Sequence, residues 1–198
     1  MNYEKRVKVF KFENCLENQT KNDYPMNAET FTRAILSKIS EKGKWYSNFL
    51  VHLSVLYLSL PNRYNYLTMA RYGKYCESTY RSNSGKPHEL AAFNLELIEE
   101  YLEDEIIWAF DPCYLTKSGK KTAHVGRFWS GCANATKWGI EISSIAAVDI
   151  KQQTAMHYLV KQTPAGLKKE AALNHYSSVI LLKKEERQSI SNVIVADA

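Results

Sequence analysis

The sequence has no CxxC pair and no HxxxH pair, and its four cysteines, Cys15, Cys76, Cys113 and Cys132, stand far apart. That spacing gives a zinc site little support. It reads as reduced thiols in a cytoplasmic protein. Long apolar runs are missing too. The most apolar stretch, Phe49 to Leu60, is only twelve residues long and contains His52 and two serines. A membrane-spanning helix needs about 20 apolar residues, so this stretch reads as a core helix and no membrane partner is expected. The N-terminal MNYEKRVKVFKFEN is charged and has no apolar h-region, so a signal peptide is not expected. KSGKKT at 117–122 lacks the Gly-x4-Gly-Lys-Ser/Thr spacing of a phosphate-binding loop, which argues against ATP.

What is present suits one large domain or two small ones in 198 residues. Hydrophobic residues make up 45%, enough for a real core. The net charge of +5 and a pI near 8.9 are compatible with a nucleic-acid partner without requiring one.

Residues 1–25 read as a basic arm and 26–104 as a helical region. Asn27 is a candidate N-cap, and Phe31, Ala34, Ile35 and Ile39 recur at helical spacing up to Gly43, a candidate C′ residue. A helix apolar on most faces is expected over Lys44 to Ser59, stopped by Pro61. Two short helices follow, Tyr64 to Tyr72 and Cys76 to Asn83, with Gly73 between them and with Leu67 and Ala70 as the expected buried positions. The second would offer Ser78, Thr79 and Arg81 as donors. With Arg71 and Lys74 beside the turn, the pair matches a DNA-binding helix-turn-helix. A plain helical hairpin matches it as well. A further helix, His88 to Glu103, ends in acidic residues, and the domain boundary is expected near residue 104.

After 104 the pattern becomes strand-like. Strands are expected over Glu105 to Phe110, Gly139 to Val148 and Thr154 to Val160, then a helix over Lys168 to Gln188, then a strand over Val193 to Ala196. Pro112 is expected to stop the first strand, so that Asp111 sits at its exit, and Asp197 closes the last strand in the same way. Asp149 falls at a hairpin turn and reads as structural. The fold class is thus α+β: a helix-turn-helix-like region followed by an incomplete ribonuclease-H-like β-β-β-α-β domain over 105–198. In that order the last strand can lie parallel beside the first.

Two carboxylates ending neighbouring strands suit divalent cations and phosphodiester chemistry, with Mg²⁺ or Mn²⁺ as the expected cofactor. Each acid alone also reads as a turn or cap residue. The intervening 115–138 segment reads as a basic loop. Lys117, Lys120, Lys121, Arg127 and Lys137 would supply positive charge for phosphates, and Trp129, Trp138 and Phe128 would stack on an unpaired base or wedge into a duplex, unless the tryptophans pack in the core and the lysines are merely solvated.

AFDPCYLTKSGKKT, GRFWSGCANATKWGIEIS and the terminal VIVADA resemble the DDE-class transposases of bacterial insertion sequences, of the cut-and-paste type. YLTMARYGKYCESTYR resembles the DNA-binding region that precedes the catalytic domain in that family. The resemblance runs from about residue 60 to the last residue. It implies DNA transposition at transposon ends, Asp111 as the first catalytic and metal-binding acid and Asp197 as the second. It also implies a third acid, a Glu, well beyond the second Asp. The sequence given stops one residue after Asp197, so the expectation is a truncated chain that does not cut DNA alone. The competing expectation is a sequence-specific DNA-binding module without catalysis. A homodimer is left open by either reading.

Overall fold

The computed structural model describes residues 27–39, 43–61, 64–86, 88, 90–103, 105–119 and 122–196. The basic arm, Lys120, Lys121 and Asp197 therefore lie outside the described residues. The architecture is α+β, with helices at the N-terminal end followed by a mixed five-stranded sheet with helices. The chain divides into two compact units, Met1–Glu89 and Leu90–Ala198.

The first unit holds α1 (Ala28–Lys38), α2 (Lys44–Ser59), α3 (Tyr66–Tyr72) and α4 (Glu77–Ser84). Asn27 caps α1 as expected, its side chain accepting the Thr30 N–H at 2.9 Å. Gly43 is not the end of that helix. Ile39 is its C-cap, and Gly43 instead starts α2. Asn65 accepts the Thr68 N–H at 2.8 Å and so starts α3 at Tyr66, two residues later than the apolar pattern implied. The inward face of α3 is consequently Tyr66, Met69 and Ala70, while Leu67 is 59% exposed, against expectation. Phe49, Leu56, Leu60, Met69 and Tyr80 form this unit's core.

The turn between α3 and α4 is tied to α2 by His52. Its Nε2 accepts the Lys74 N–H at 3.3 Å and lies 2.6 Å from the Tyr80 hydroxyl, which in turn accepts the Tyr75 N–H at 3.4 Å. With Nε2 serving as an acceptor, the ring must be neutral. Burial and then the Lys74 ammonium both lower the His52 pKa. The sign follows from linkage. Below an unfolded histidine pKa of about 6.5, the unfolded chain takes up a proton that the folded ring resists, so stability falls as pH drops through that value. The denaturation midpoint of this unit is expected to fall between pH 7.5 and pH 5.5, with a weaker pH dependence in His52→Gln. Equal slopes in the two proteins would rule His52 out as the cause.

The second unit holds α5 (Leu90–Tyr101), β1 (Ile106–Thr116), β2 (Gly126–Ser130), β3 (Ala135–Asp149), β4 (Thr154–Gln162), α6 (Lys169–Leu181), α7 (Lys184–Gln188) and β5 (Ile194–Ala196). α5 opens this unit, which begins at Leu90, and packs on the sheet. Ile98 and Leu102 join the sheet core, and Asn94 donates to the Tyr158 carbonyl at 2.9 Å. β3 is the spine. It pairs antiparallel with β1, β2 and β4, and β5 pairs parallel with β1, giving the path β2-β3-β1-β5 with β4 also on β3. Trp108, Phe110, Ile145 and Ala147 point to one face, where Ile98 of α5 and Val179 of α6 complete the core.

Three expectations change here. First, Pro112 does not stop β1, which continues to Thr116. The Trp108 N–H bonds the Val193 carbonyl, on the β5 side. N–H directions alternate along a strand, so position 112 also points to that side, beyond Ala196, the last described residue of β5. The missing proline N–H therefore takes nothing from the ladder with β3. Second, 115–138 is only in part a loop: β2 and the start of β3 form an antiparallel ribbon around the turn Gly131–Ala133. Third, the helix expected over 168–188 is two helices, broken where Leu182 is extended and Lys183 takes a left-handed φ of 50°. Asp149 is structural, as expected. It is buried, and its carboxylate accepts the Gln152 and Glu103 N–H groups at 2.8 and 3.2 Å.

Candidate active site

Asp111 lies within β1 and not at its exit. It pairs with Ser144 of β3 and is exposed. Register and alternation place it on the face opposite the packed helices, together with Cys113 and Ile142, Ala109 and Ala146, and Leu115 and Ile140. The Cys113 thiol donates to Asp111 Oδ2 at 3.0 Å. Burial, the hydrogen bond to Asp111 and the negative charges of Asp111 and Glu141 push the Cys113 pKa up to about 11, so it stays a thiol donor and is a poor nucleophile. Across the strand, Ser144 Oγ lies 3.2 Å from His157 Nδ1 of β4. The composition of this neighbourhood, a carboxylate flanked by a thiol, a hydroxyl and an imidazole, comes from strand register, not from any contiguous motif.

Glu141 is a different case. It points to the helix-covered face, is buried, and accepts the Tyr176 hydroxyl of α6 at 2.7 Å. It anchors α6 to β3 and does not share a face with Asp111.

The parallel register pairs Trp108 with Ile194, Ala109 with Val195 and Phe110 with Ala196. β5 thus runs along the segment of β1 that leads into Asp111. Asp197 follows Ala196 in the sequence and lies outside the described residues. Among the described residues, no three His, Cys, Asp or Glu side chains gather as a metal site. Asp111 offers one carboxylate. Magnesium needs one or two from the protein when substrate phosphates complete its shell.

Of the expected DNA contacts, Lys117, Arg127 and Trp129 are in the same unit as Asp111 and are exposed. Trp129 and Trp138 are 59% and 58% exposed, so neither is a core residue. Arg71, Lys74 and Ser78 are exposed in the first unit, and Thr79 is half-buried. Arg81 also lies on the surface, but its guanidinium pairs with Glu77 and stands 4.9 Å over the Tyr66 ring. An exposed pair of that kind is worth about 0.3–0.5 kcal/mol and would yield readily to a phosphate. The Ser78 and Thr79 hydroxyls lie 3.1 and 3.2 Å from the thiol of Cys76, the N-cap residue of α4. These hydroxyls and the Thr79 N–H lower the Cys76 pKa to about 7, so α4 begins beside a partly ionised sulfur. No described helix is long and apolar enough to cross a membrane.

Comparison with known proteins gives no match: no protein-family profile, no curated protein and no solved structure is similar enough to this chain to identify it.

Proposed function

We propose that the chain acts in DNA transposition as a DDE-class transposase, with the sheet as a ribonuclease-H-like domain and the α3–turn–α4 pair as a helix-turn-helix. The observation that carries this reading is the parallel pairing of β5 with β1 up to Phe110 and Ala196, directly before Asp111 and Asp197 in the sequence. Strand path and sequence order support it together: three antiparallel strands, a helical crossover and a parallel return beside the first strand.

In this reading Asp111 and Asp197 hold Mg²⁺ or Mn²⁺, which would neutralise charge on the attacking and leaving oxygens of a phosphodiester. Cys113 orients the Asp111 carboxylate through Oδ2. Lys117 and Arg127 meet the DNA backbone nearby. Arg71 and Lys74 do the same from the first unit.

The second reading, a DNA-binding module without catalysis, is supported by the exposed Arg71, Lys74 and Ser78 at the α3–α4 turn, which need no carboxylate to meet phosphates. One experiment separates the two. Mn²⁺ binding to the full chain is titrated in the wild type, Asp111→Asn and Asp197→Asn, and nicking of supercoiled DNA is followed in the same samples. The proposal expects each substitution to weaken Mn²⁺ binding at least tenfold while DNA binding in EDTA persists. Equal Mn²⁺ binding in all three proteins, with DNA binding intact, would leave the binding module as the function.

A further inference from the structure

The two exposed tryptophans share one face of the β2–β3 ribbon. Arg127 pairs with Trp138, and Trp129 pairs with Thr136. Directly opposed residues of an antiparallel pair lie on the same side, and alternate residues along a strand do too. One face therefore carries Arg127, Trp129, Thr136 and Trp138, and the other carries Phe128 and Lys137. Phe128, a stacking candidate from sequence, is thereby excluded from the tryptophan face.

Trp129 and Trp138 are diagonal neighbours across the ribbon, a relation that sets side chains about 7–8 Å apart. Two van der Waals contacts of about 3.5–4.0 Å span that gap. One flat ring therefore fits between the two indoles. Neither indole makes a ring contact with another described aromatic residue. Two large apolar side chains, both more than half exposed and next to each other, form a surface with a partner to meet. The partner's charge is indicated by the neighbours. Arg127 is exposed on the tryptophan face, and Lys117 is exposed just beyond Thr116, the residue paired with Gly139 beside Trp138.

We propose that this ribbon face is a stacking platform for unpaired bases of single-stranded DNA, with Trp129 and Trp138 holding a base and Arg127 and Lys117 meeting the flanking phosphates. Every base offers a π-face, so the platform is sequence-tolerant. The same face continues along β3 through Ile140 and Ile142 to Ser144, the partner of Asp111. The six residue steps from Trp138 to Ser144 span roughly 20 Å at about 3.4 Å per step. A strand stacked on the ribbon would thus have its backbone led toward Asp111. The inference rests on the DNA reading above and adds the form of DNA that is recognised.

The test uses the full chain and three probes of equal length: single-stranded DNA, blunt duplex, and duplex with an unpaired flap. Affinities are measured at several salt concentrations for the wild type, Trp129→Ala, Trp138→Ala, Trp129→Phe and Arg127→Ala. The wild type should prefer the two probes with unpaired bases. Each tryptophan-to-alanine change should lower affinity for them tenfold or more with the salt slope unchanged, and Trp129→Phe should retain most of the binding. Arg127→Ala should instead reduce the salt slope by about 0.7. Because both indoles are largely exposed, thermal midpoints should stay close to wild type. Equal affinity for all three probes, indifferent to either tryptophan, overturns the platform while leaving the DNA reading standing. Failure to bind any probe removes the DNA reading itself, and the platform with it. A dimer that dissociates in Trp129→Ala, with DNA affinity unchanged, overturns the platform in favour of a protein interface.

Discussion

Trp108→Ala is expected to destabilise the second unit by about 3–5 kcal/mol, the range for removing a buried tryptophan. The site is unforgiving for three reasons. The indole is fully buried and packs 5.2 Å, centroid to centroid, from Tyr158. Its Nε1–H is shared between the carbonyls of Arg187 and Ser191, each at 3.2 Å. Its ring also underlies the Arg187 guanidinium at 5.7 Å, and that arginine is only 4% exposed. Truncation would leave a cavity, the Ser191 carbonyl without the indole donor and a buried cation without its aromatic partner, while the Arg187 carbonyl keeps the Ile190 and Ser191 N–H groups. A domain stable by only about 5–15 kcal/mol would lose a large share of its margin. The functional consequence is specific, because the carbonyls held by the indole belong to the chain that turns into β5. Hydrogen exchange at amide 108, which bonds the Val193 carbonyl, should speed up along with that of β5. Trp108→Phe keeps one aromatic ring and loses the pyrrole half of the indole with its N–H, so it is expected to cost less than Trp108→Ala but more than the about 0.5–1.5 kcal/mol of a hydrogen bond alone. A Trp108→Ala protein with near-wild-type stability and unchanged exchange in β5 would contradict this account of how β5 is held.

Much of the α+β order was legible because some segments answer to a single constraint. Lys44–Ser59 is apolar on most of its circumference, so both its type and its ends could be read directly. The hairpin at Asp149 and the parallel return of β5 also follow from local turn chemistry and from the handedness of crossovers. The misreadings arose where tertiary register decides. Whether Pro112 breaks β1 depends on which neighbour its absent N–H would face. Leu67 and Met69 are both plausible core residues of a short helix until Asn65 fixes the first turn. The β2–β3 ribbon escaped notice because exposed tryptophans alternate there with basic and small residues, and that pattern carries no buried period. At the candidate site, Asp111 stood out as an acid after an apolar run. Ser144 and His157 could not be found the same way, since only the pairings β1–β3 and β3–β4 bring them near it. The amphipathic pattern of α5 likewise shows that it packs on something, not on which unit.

The turn of the α3–α4 pair offers the second large effect. Gly73→Ala is expected to destabilise the first unit by about 1–3 kcal/mol through overpacking. Gly73 has an extended backbone, with φ −104° and ψ −179°, so the requirement for glycine is spatial and not conformational. A Cβ there would lie 2.0 Å from the Tyr80 hydroxyl, 2.6 Å from the Met69 carbonyl oxygen and 3.0 Å from His52 Nε2. The Met69 oxygen is backbone and already accepts the Gly73 N–H at 2.8 Å, so it cannot retreat without opening the end of α3. The Tyr80 hydroxyl is the tip of a fully buried side chain held between His52 and the Tyr75 N–H. The added methyl would therefore push apart the contacts that set the angle between α3 and α4. Removing the hydroxyl should relieve one of the two severe clashes and leave the other. Gly73→Ala should thus cost less in a Tyr80→Phe background than alone, a coupling readable in a double-mutant cycle of denaturant midpoints. If α4 presents Ser78, Thr79 and Arg81 to DNA, duplex affinity should fall in Gly73→Ala even at temperatures where the unit remains folded, since rotating α4 by a few degrees moves all three together. Strictly additive stability effects would place the two groups out of contact, and wild-type duplex binding by a folded Gly73→Ala protein would remove α4 from the DNA interface.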